Sequence, residues 1–185
     1  IEDERAALAI KDDAIGMRGF YAQKSKSAED TLVSIKHFLG KTKLTTLRSD
    51  NSLELASVAR ELKALHETST PHTPQSNTRI ERDIGVMLGG TRSNMQQSGL
   101  PRKFWVYAAQ HWCHYANCHI PFSSGKPLAN ITAETKTPWE ARHGQPWSGP
   151  NVPFGCLLDF RTPDSKRFKQ GKFEERTQPG LFLGV

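Results

Sequence analysis

Two long stretches of helix-period apolar residues, set end to end, constrain this chain more than any other feature. The first runs from about Arg79 towards Gln97 and holds Ile80, Ile84, Met87, Leu88 and Met95 within its period. Ser98-Gly99-Leu100-Pro101 breaks it, and a second helix is predicted from about Arg102 to His119. Helices of that length need a surface on which to bury their apolar stripes. The preceding residues offer one, because strand-like and helix-like segments alternate there. Leu8-Ala9-Ile10, a turn through Gly16 and Gly19, and Phe20-Tyr21 read as a β-hairpin. Ser27 with Asp30 forms a capping box, Leu32, Ile35, Phe38 and Leu39 share a helical face, and Gly40 ends that helix. Leu44 to Leu47 is predicted as a strand. Leu53 to Leu65 is predicted as a helix with Leu55, Val58, Ala59, Leu62 and Leu65 on its buried side.

The rest of the chain is more loop-like. TSTPHTPQSNT is a loop, and residues 121–151 are rich in proline and glycine, with one short helix predicted at Pro138 to His143. Phe154 to Phe160 and Gly180 to Val185 are β-like, with the basic run RFKQGKFEER between them. The order predicts an α/β unit with a central mixed sheet flanked by helices, followed by a small β module. Lys and Arg number 25 against 19 Asp and Glu, so the net charge is +6 and the pI about 9.3. That balance favours a polyanion as partner, nucleic acid before an anionic membrane. No stretch approaches the roughly 20 apolar residues that cross a bilayer. The charged first residues exclude a signal peptide there. Cys113, Cys118 and Cys156 then read as free thiols of a reducing, intracellular compartment.

Asp50 lies at a predicted strand end and Glu81 in the first turn of the long helix, 31 positions on. A strand-end Asp and a helix-borne Glu can converge above a sheet edge and hold Mg²⁺, leaving positions for water and phosphate. Spacing alone is a weak signal, since most carboxylates are solvated surface charges. The surrounding motifs strengthen it. Ser49-Asp50-Asn51, Thr73-Pro74-Gln75-Ser76-Asn77, Glu81-Arg82 and Ser98-Gly99-Leu100-Pro101-Arg102-Lys103-Phe104-Trp105 occur in that order. Together the string resembles the integrase core of Ty1/copia-type retrotransposons. IKDDAIGMRGFYAQKSKSAEDT upstream, and TPWEARHG and VPFGC…PGLFLGV downstream, extend the resemblance over nearly the whole chain.

The resemblance implies an RNase H-like fold in residues 1–120, a connection over 121–151 and an incomplete SH3-like β module over 152–185. It implies a DDE polynucleotidyl transferase of the Pol polyprotein that joins element DNA ends to target DNA, with two Mg²⁺ (or Mn²⁺) ions held by Asp, Asp and Glu. Such enzymes act as multimers, with nuclear localisation for the integration step. Asp50 then corresponds to the second Asp and Glu81 to the Glu, while Asn77 shapes the active-site loop and Arg82 meets DNA phosphate. The first Asp, with its strand, has no counterpart here. Asp12 and Asp13 align with the family's second strand, and Asp3 lies too close to it. The chain as it stands is therefore expected not to catalyse strand transfer. A non-catalytic nucleic-acid-binding remnant is the alternative. The loop reads Asn77-Thr78 where the family has Asn-Gly, and Asp83-Ile84-Gly85 places a further negative charge beside the site.

Other features carry weaker readings. Arg79, Arg82, Arg92, Arg102 and Lys103 could line a phosphate track or form a solvated face. Lys166, Arg167, Lys169 and Lys172, interleaved with Phe168 and Phe173, read as a DNA-facing loop. His111, His114 and Cys118 share a helical face and could suggest zinc. Ligands from a single helix do not match known zinc motifs, and a buried helix with thiols as apolar filler is the simpler reading.

Overall fold

The computed structural model describes residues 6–68, 78–122, 136–161 and 177–184. The hairpin forms as expected: β1 (Ala6–Lys11) pairs antiparallel with β2 (Arg18–Gln23), with Ala9 opposite Phe20 and Lys11 opposite Arg18. Asp12 closes the turn, its Oδ1 accepting from the backbone N–H groups of Ala14 and Ile15 at 2.9 and 3.3 Å. Helix α1 (Ala28–Leu39) starts at Ser27, whose hydroxyl accepts from Asp30 N–H at 3.1 Å, and stops at Gly40 with φ +58°. The reciprocal half of the capping box is redirected, since the Asp30 carboxylate accepts from the backbone and hydroxyl of Ser25.

Side chains alternate across the hairpin, so its two faces meet different helices. Tyr21 meets His37 and Gln23 meets Ser34, both on α1. Ala9 and Phe20 face the other way, into a core with Met87, Trp105, Ala109, Trp112 and Cys113. Those residues belong to α3 (Thr78–Ser98) and α4 (Trp105–His119), joined through a 3₁₀ turn at Arg102–Phe104. The result is an α/β/α sandwich around the hairpin. Gly90 lets α3 and α4 approach, because a Cβ there would lie 1.8 Å from the Trp112 indole nitrogen.

The second pair of strands departs from expectation. Strand β3 occupies Thr46–Ser49, two residues later than predicted. Helix α2 (Leu53–Glu61) ends four residues early, and Leu65 is not on its buried stripe. Leu65 instead opens β4 (Leu65–Thr68), parallel to β3 with Thr46 opposite Leu65. The cause is a Schellman turn: Lys63 takes φ +53°, its N–H donates to Arg60 O, and Ala64 N–H donates to Ala59 O. Among the described residues the strands form three two-stranded ladders instead of one mixed sheet. Helix α1 packs on β1, β2 and α2, and α2 packs on β3 and β4, so one helical layer spans the first two ladders.

Helix α5 (Pro138–His143) forms where predicted, capped by the Thr137 hydroxyl at one end and by Gly144 in the left-handed region at the other. Trp139 and Trp147 close on His114 of α4, with ring centroids at 6.0 and 4.9 Å. The third ladder pairs β5 (Leu157–Arg161) antiparallel with β6 (Thr177–Leu181). Its flanking residues Phe154 and Phe182 pack on His111. The β-like run predicted from Phe154 begins as a strand only at Leu157, because Phe154-Gly155 forms a turn.

Candidate metal and nucleic-acid site

Asp50 follows β3 directly and is exposed, and Glu81 is exposed in the first turn of α3. Between them the chain runs through α2 and β4, so the parallel ladder lies in the path that connects them. Neither carboxylate forms an ion pair or hydrogen bond with another described residue. Ser49 orders the strand end, where its Oγ donates to Asp50 O at 2.8 Å and lies 2.8 Å from His66 Nε2. Arg48 and Glu67, opposite each other across the ladder, form an exposed pair at 2.7 Å.

Asp83 is not part of this pair of carboxylates. Two positions beyond Glu81, it points roughly 200° around the helix axis. There it is buried, with the Lys11 ammonium at 2.5 Å and an Arg18 guanidinium nitrogen at 3.5 Å. The negative charge that the sequence placed beside the site is therefore neutralised by the hairpin. Register explains the arrangement: Lys11 and Arg18 are direct cross-strand partners, and like charges so placed repel unless a counter-ion sits between them. The hairpin pattern contained this signal, since a turn centred near Ala14 sets the two basic residues opposite each other.

Arg82 and Arg92 are exposed on α3, and Arg102 and Lys103 are exposed at the 3₁₀ turn. Asn77, the Arg79 side chain, Lys166, Arg167, Lys169 and Lys172 lie outside the described residues.

No group of three His, Cys, Asp or Glu side chains that could hold a metal occurs among the described residues. Of the suspected zinc set, His114 Nε2 lies 3.6 Å from Cys118 Sγ, while His111 is engaged elsewhere. Its Nε2 is 3.0 Å from Val152 O and its Nδ1 is 3.3 Å from Asn94 Nδ2, so the ring donates to the carbonyl and accepts from the amide. His111 thus joins α3, α4 and the segment before β5, a role that its place in the His/Cys cluster obscured. Burial pushes the Cys113 thiol up to about 12 and that of Cys118 to about 11, which keeps both protonated, as apolar filler.

No family model matches this chain. It is 27% identical over 195 residues to the retrovirus-related Pol polyprotein from transposon RE2 of Arabidopsis thaliana, an alignment covering all of this chain and 12% of that protein. The chain therefore spans about an eighth of that relative's length. Its fold is similar to a chain of the simian T-cell lymphotropic virus intasome solved with the PP2A regulatory subunit B56 gamma. That match has a TM-score of 0.54 at 19% identity and covers 95% of this chain and 60% of the other. The catalytic core domain of BIV integrase matches with a TM-score of 0.50 at 15% identity, over 73% of this chain and 83% of that one. The resemblance read from the sequence is borne out: this chain is a relative of copia-type Pol polyproteins, with the α/β fold of integrase catalytic cores.

Proposed function

Taking the chain as a relative of copia-type Pol polyproteins, we propose that it is an integrase segment that binds DNA and, within a longer protein, takes part in metal-dependent strand transfer. The observation that carries this reading is the position of Asp50 and Glu81. One stands at a strand end and the other in the first turn of the long helix, both exposed, their carboxylates without an ion-pair or hydrogen-bond partner among the described residues, while Asp12 and Asp83 are each held by other groups. Two exposed carboxylates suit one hard cation with water completing its shell. They do not make the three-carboxylate set of a two-metal centre. A first strand with its Asp, supplied by a longer chain, would complete the set. It would have a place between β1 and β3, each of which has one edge unpaired among the described residues and both of which lie under the α1–α2 layer.

DNA binding rests on the net charge of +6 and on Arg82 and Arg92, with Asn77, Arg79, Lys166, Arg167, Lys169 and Lys172 as further contacts. In this reading the working form is a multimer, acts in the nucleus and uses residues 152–185 as an SH3-like module. A second reading, a DNA-binding remnant without chemistry, is favoured by the incomplete carboxylate set. One experiment separates the two. Strand transfer of pre-processed donor DNA with Mg²⁺ or Mn²⁺ is measured for this chain and for one extended upstream through a strand carrying Asp. The integrase reading expects joining by the long chain alone, lost on Asp50→Asn or Glu81→Gln. Salt-dependent DNA binding by both chains with joining by neither supports the remnant. Failure to bind duplex DNA at low salt overturns both readings.

A further inference from the structure

Helices α1 and α2 pack on each other, and a groove of about 190 Å³ lies between their C-terminal ends. Leu39, Leu44 and Leu62, each half-buried, give it an apolar floor, and Lys36 and Lys43 line it as exposed residues. Lys41 and Lys63, also exposed, follow directly on the lining residues Gly40 and Leu62. Basic residues at a helix C-terminus commonly answer the helix dipole. Here other groups meet the terminal carbonyls. Gly40 N–H donates to Lys36 O at 3.0 Å, an Arg142 guanidinium N–H to Phe38 O at 3.0 Å, and the Thr42 N–H and hydroxyl to Leu39 O at 3.0 and 2.7 Å. At the end of α2, the N–H groups of Leu62, Lys63 and Ala64 donate to Val58 O, Arg60 O and Ala59 O. The ammonium groups are thus left over from the needs of the helices. Lys36 lies 3.4 Å from Glu61, in a pair that is more than half exposed, and Lys41, Lys43 and Lys63 have no acidic partner among the described residues.

We propose that this groove docks an acidic peptide segment of a partner protein, with one bulky apolar side chain seated on Leu39, Leu44 and Leu62 and flanking carboxylates paired with the lysines. Size and charge both favour that occupant. The volume falls below the roughly 300–1,000 Å³ of small-molecule pockets. It suits a single Leu, Phe or Trp side chain, the kind of anchor that carries most of the energy of a peptide interface. Duplex DNA would gain from the lysines through its phosphates but would leave the leucine floor without a partner. A second copy of this chain, with its net charge of +6, would meet the lysines with like charge. Carboxylates beside an apolar anchor satisfy the floor and the lysines together.

None of these residues belongs to the carboxylate pair or to the DNA contacts named above, so the groove is tested without DNA or divalent metal, and its failure leaves the integrase reading standing. The probe is a fluorescein-labelled peptide of about ten residues, one central Trp between runs of Asp and Glu, titrated with the full chain in EDTA at low salt and read by fluorescence polarisation. Exchanging the central Trp for Ser should weaken binding roughly tenfold. Leu44→Gln, which keeps the lysines, should remove that preference for Trp. Lys41→Glu with Lys43→Glu should weaken binding of the acidic peptide roughly tenfold, at an unchanged melting temperature because both side chains are exposed and unpaired among the described residues. The same double variant should take up a peptide with the same Trp and Lys in place of the acids, a gain that a folding defect does not produce. Absence of binding up to about 1 mM overturns the proposal. So does equal binding with and without Trp, a Trp preference that survives Leu44→Gln, or an affinity indifferent to the charge reversal. A short DNA duplex that displaces the peptide, and itself loses affinity with the two lysine substitutions, would assign the groove to nucleic acid and overturn it as well.

Discussion

Asn117 binds both backbone groups of Arg18: its Oδ1 accepts from Arg18 N–H at 2.9 Å and its Nδ2 donates to Arg18 C=O at 2.8 Å. One amide side chain on α4 thereby does for the start of β2 what a neighbouring strand would do. It satisfies backbone groups that β1 leaves unpaired at this position, and it sets the distance between α4 and the hairpin. The residue is only 4% exposed, so water does not replace it.

Asn117→Ala should therefore destabilise the fold by about 2–4 kcal/mol, since it leaves a donor and an acceptor without partners in a largely dry place. Asn117→Asp should be no milder, because a carboxylate faces Arg18 C=O where an N–H donor stood. Urea denaturation of both variants, with an unchanged slope, measures this. A loss under 1 kcal/mol for the alanine variant would show that water reaches Arg18.

Asp83→Asn should leave Lys11 and Arg18 facing each other across the hairpin without a counter-ion. The side chains are 12–14% exposed, so a loss of about 2–3 kcal/mol is expected. Added salt should restore part of it by screening the repulsion, which it would not do for a packing defect. Melting temperatures of the two proteins between low and high salt test the sign.

Gly90→Ala should destabilise although alanine favours helix by about 1 kcal/mol, because its Cβ would enter the Trp112 ring. A net loss of about 1–3 kcal/mol is expected. Gly90→Ala with Trp112→Phe, which vacates part of that space, should recover some of the loss. A stabilised single variant would mean that α3 and α4 do not approach as closely as described.

Burial lowers the pKa of His114 below the ordinary 6.5, and neighbouring His111 and His119 add to the effect. The unfolded chain then binds the proton more readily than the folded one, so stability falls as the pH drops. The His114 contribution is complete above about pH 6.5 and is lost as the pH falls through its lowered folded value, with a slope of at most about 1.4 kcal/mol per pH unit. Replacing the ring by Phe, which keeps the contacts to Trp139 and Trp147, should flatten the pH dependence of unfolding in that window. An unchanged slope would assign the acid sensitivity to another group.

Local chemistry made several elements legible in the sequence alone. Ser27 and Gly40 bound α1, and Thr137, Pro138 and Gly144 bound α5, because caps act through hydrogen bonds within one turn and need no distant partner. The β1–β2 hairpin and the break at Ser98 to Pro101 were readable for the same reason. The ordered motifs around Asp50 and Glu81 likewise pointed to the family without any coordinates.

Where one residue type could serve two structures, the tertiary fold decided. Lys63 ends α2 in a left-handed conformation that a sequence rule reserves for glycine, and only pairing with β3 draws Leu65 out of the helical stripe and into β4. Asp83 and Glu81 are the same kind of charge two residues apart. The rotation of α3 buries one against Lys11 and Arg18 and leaves the other to solvent. Gly85, Gly89 and Gly90 are identical letters on one helix, yet only Gly90 meets Trp112. Capping and periodicity are set by neighbours in the chain, whereas the partner of a charge or the space beside a glycine is set by residues distant in sequence, which only the packed fold brings together.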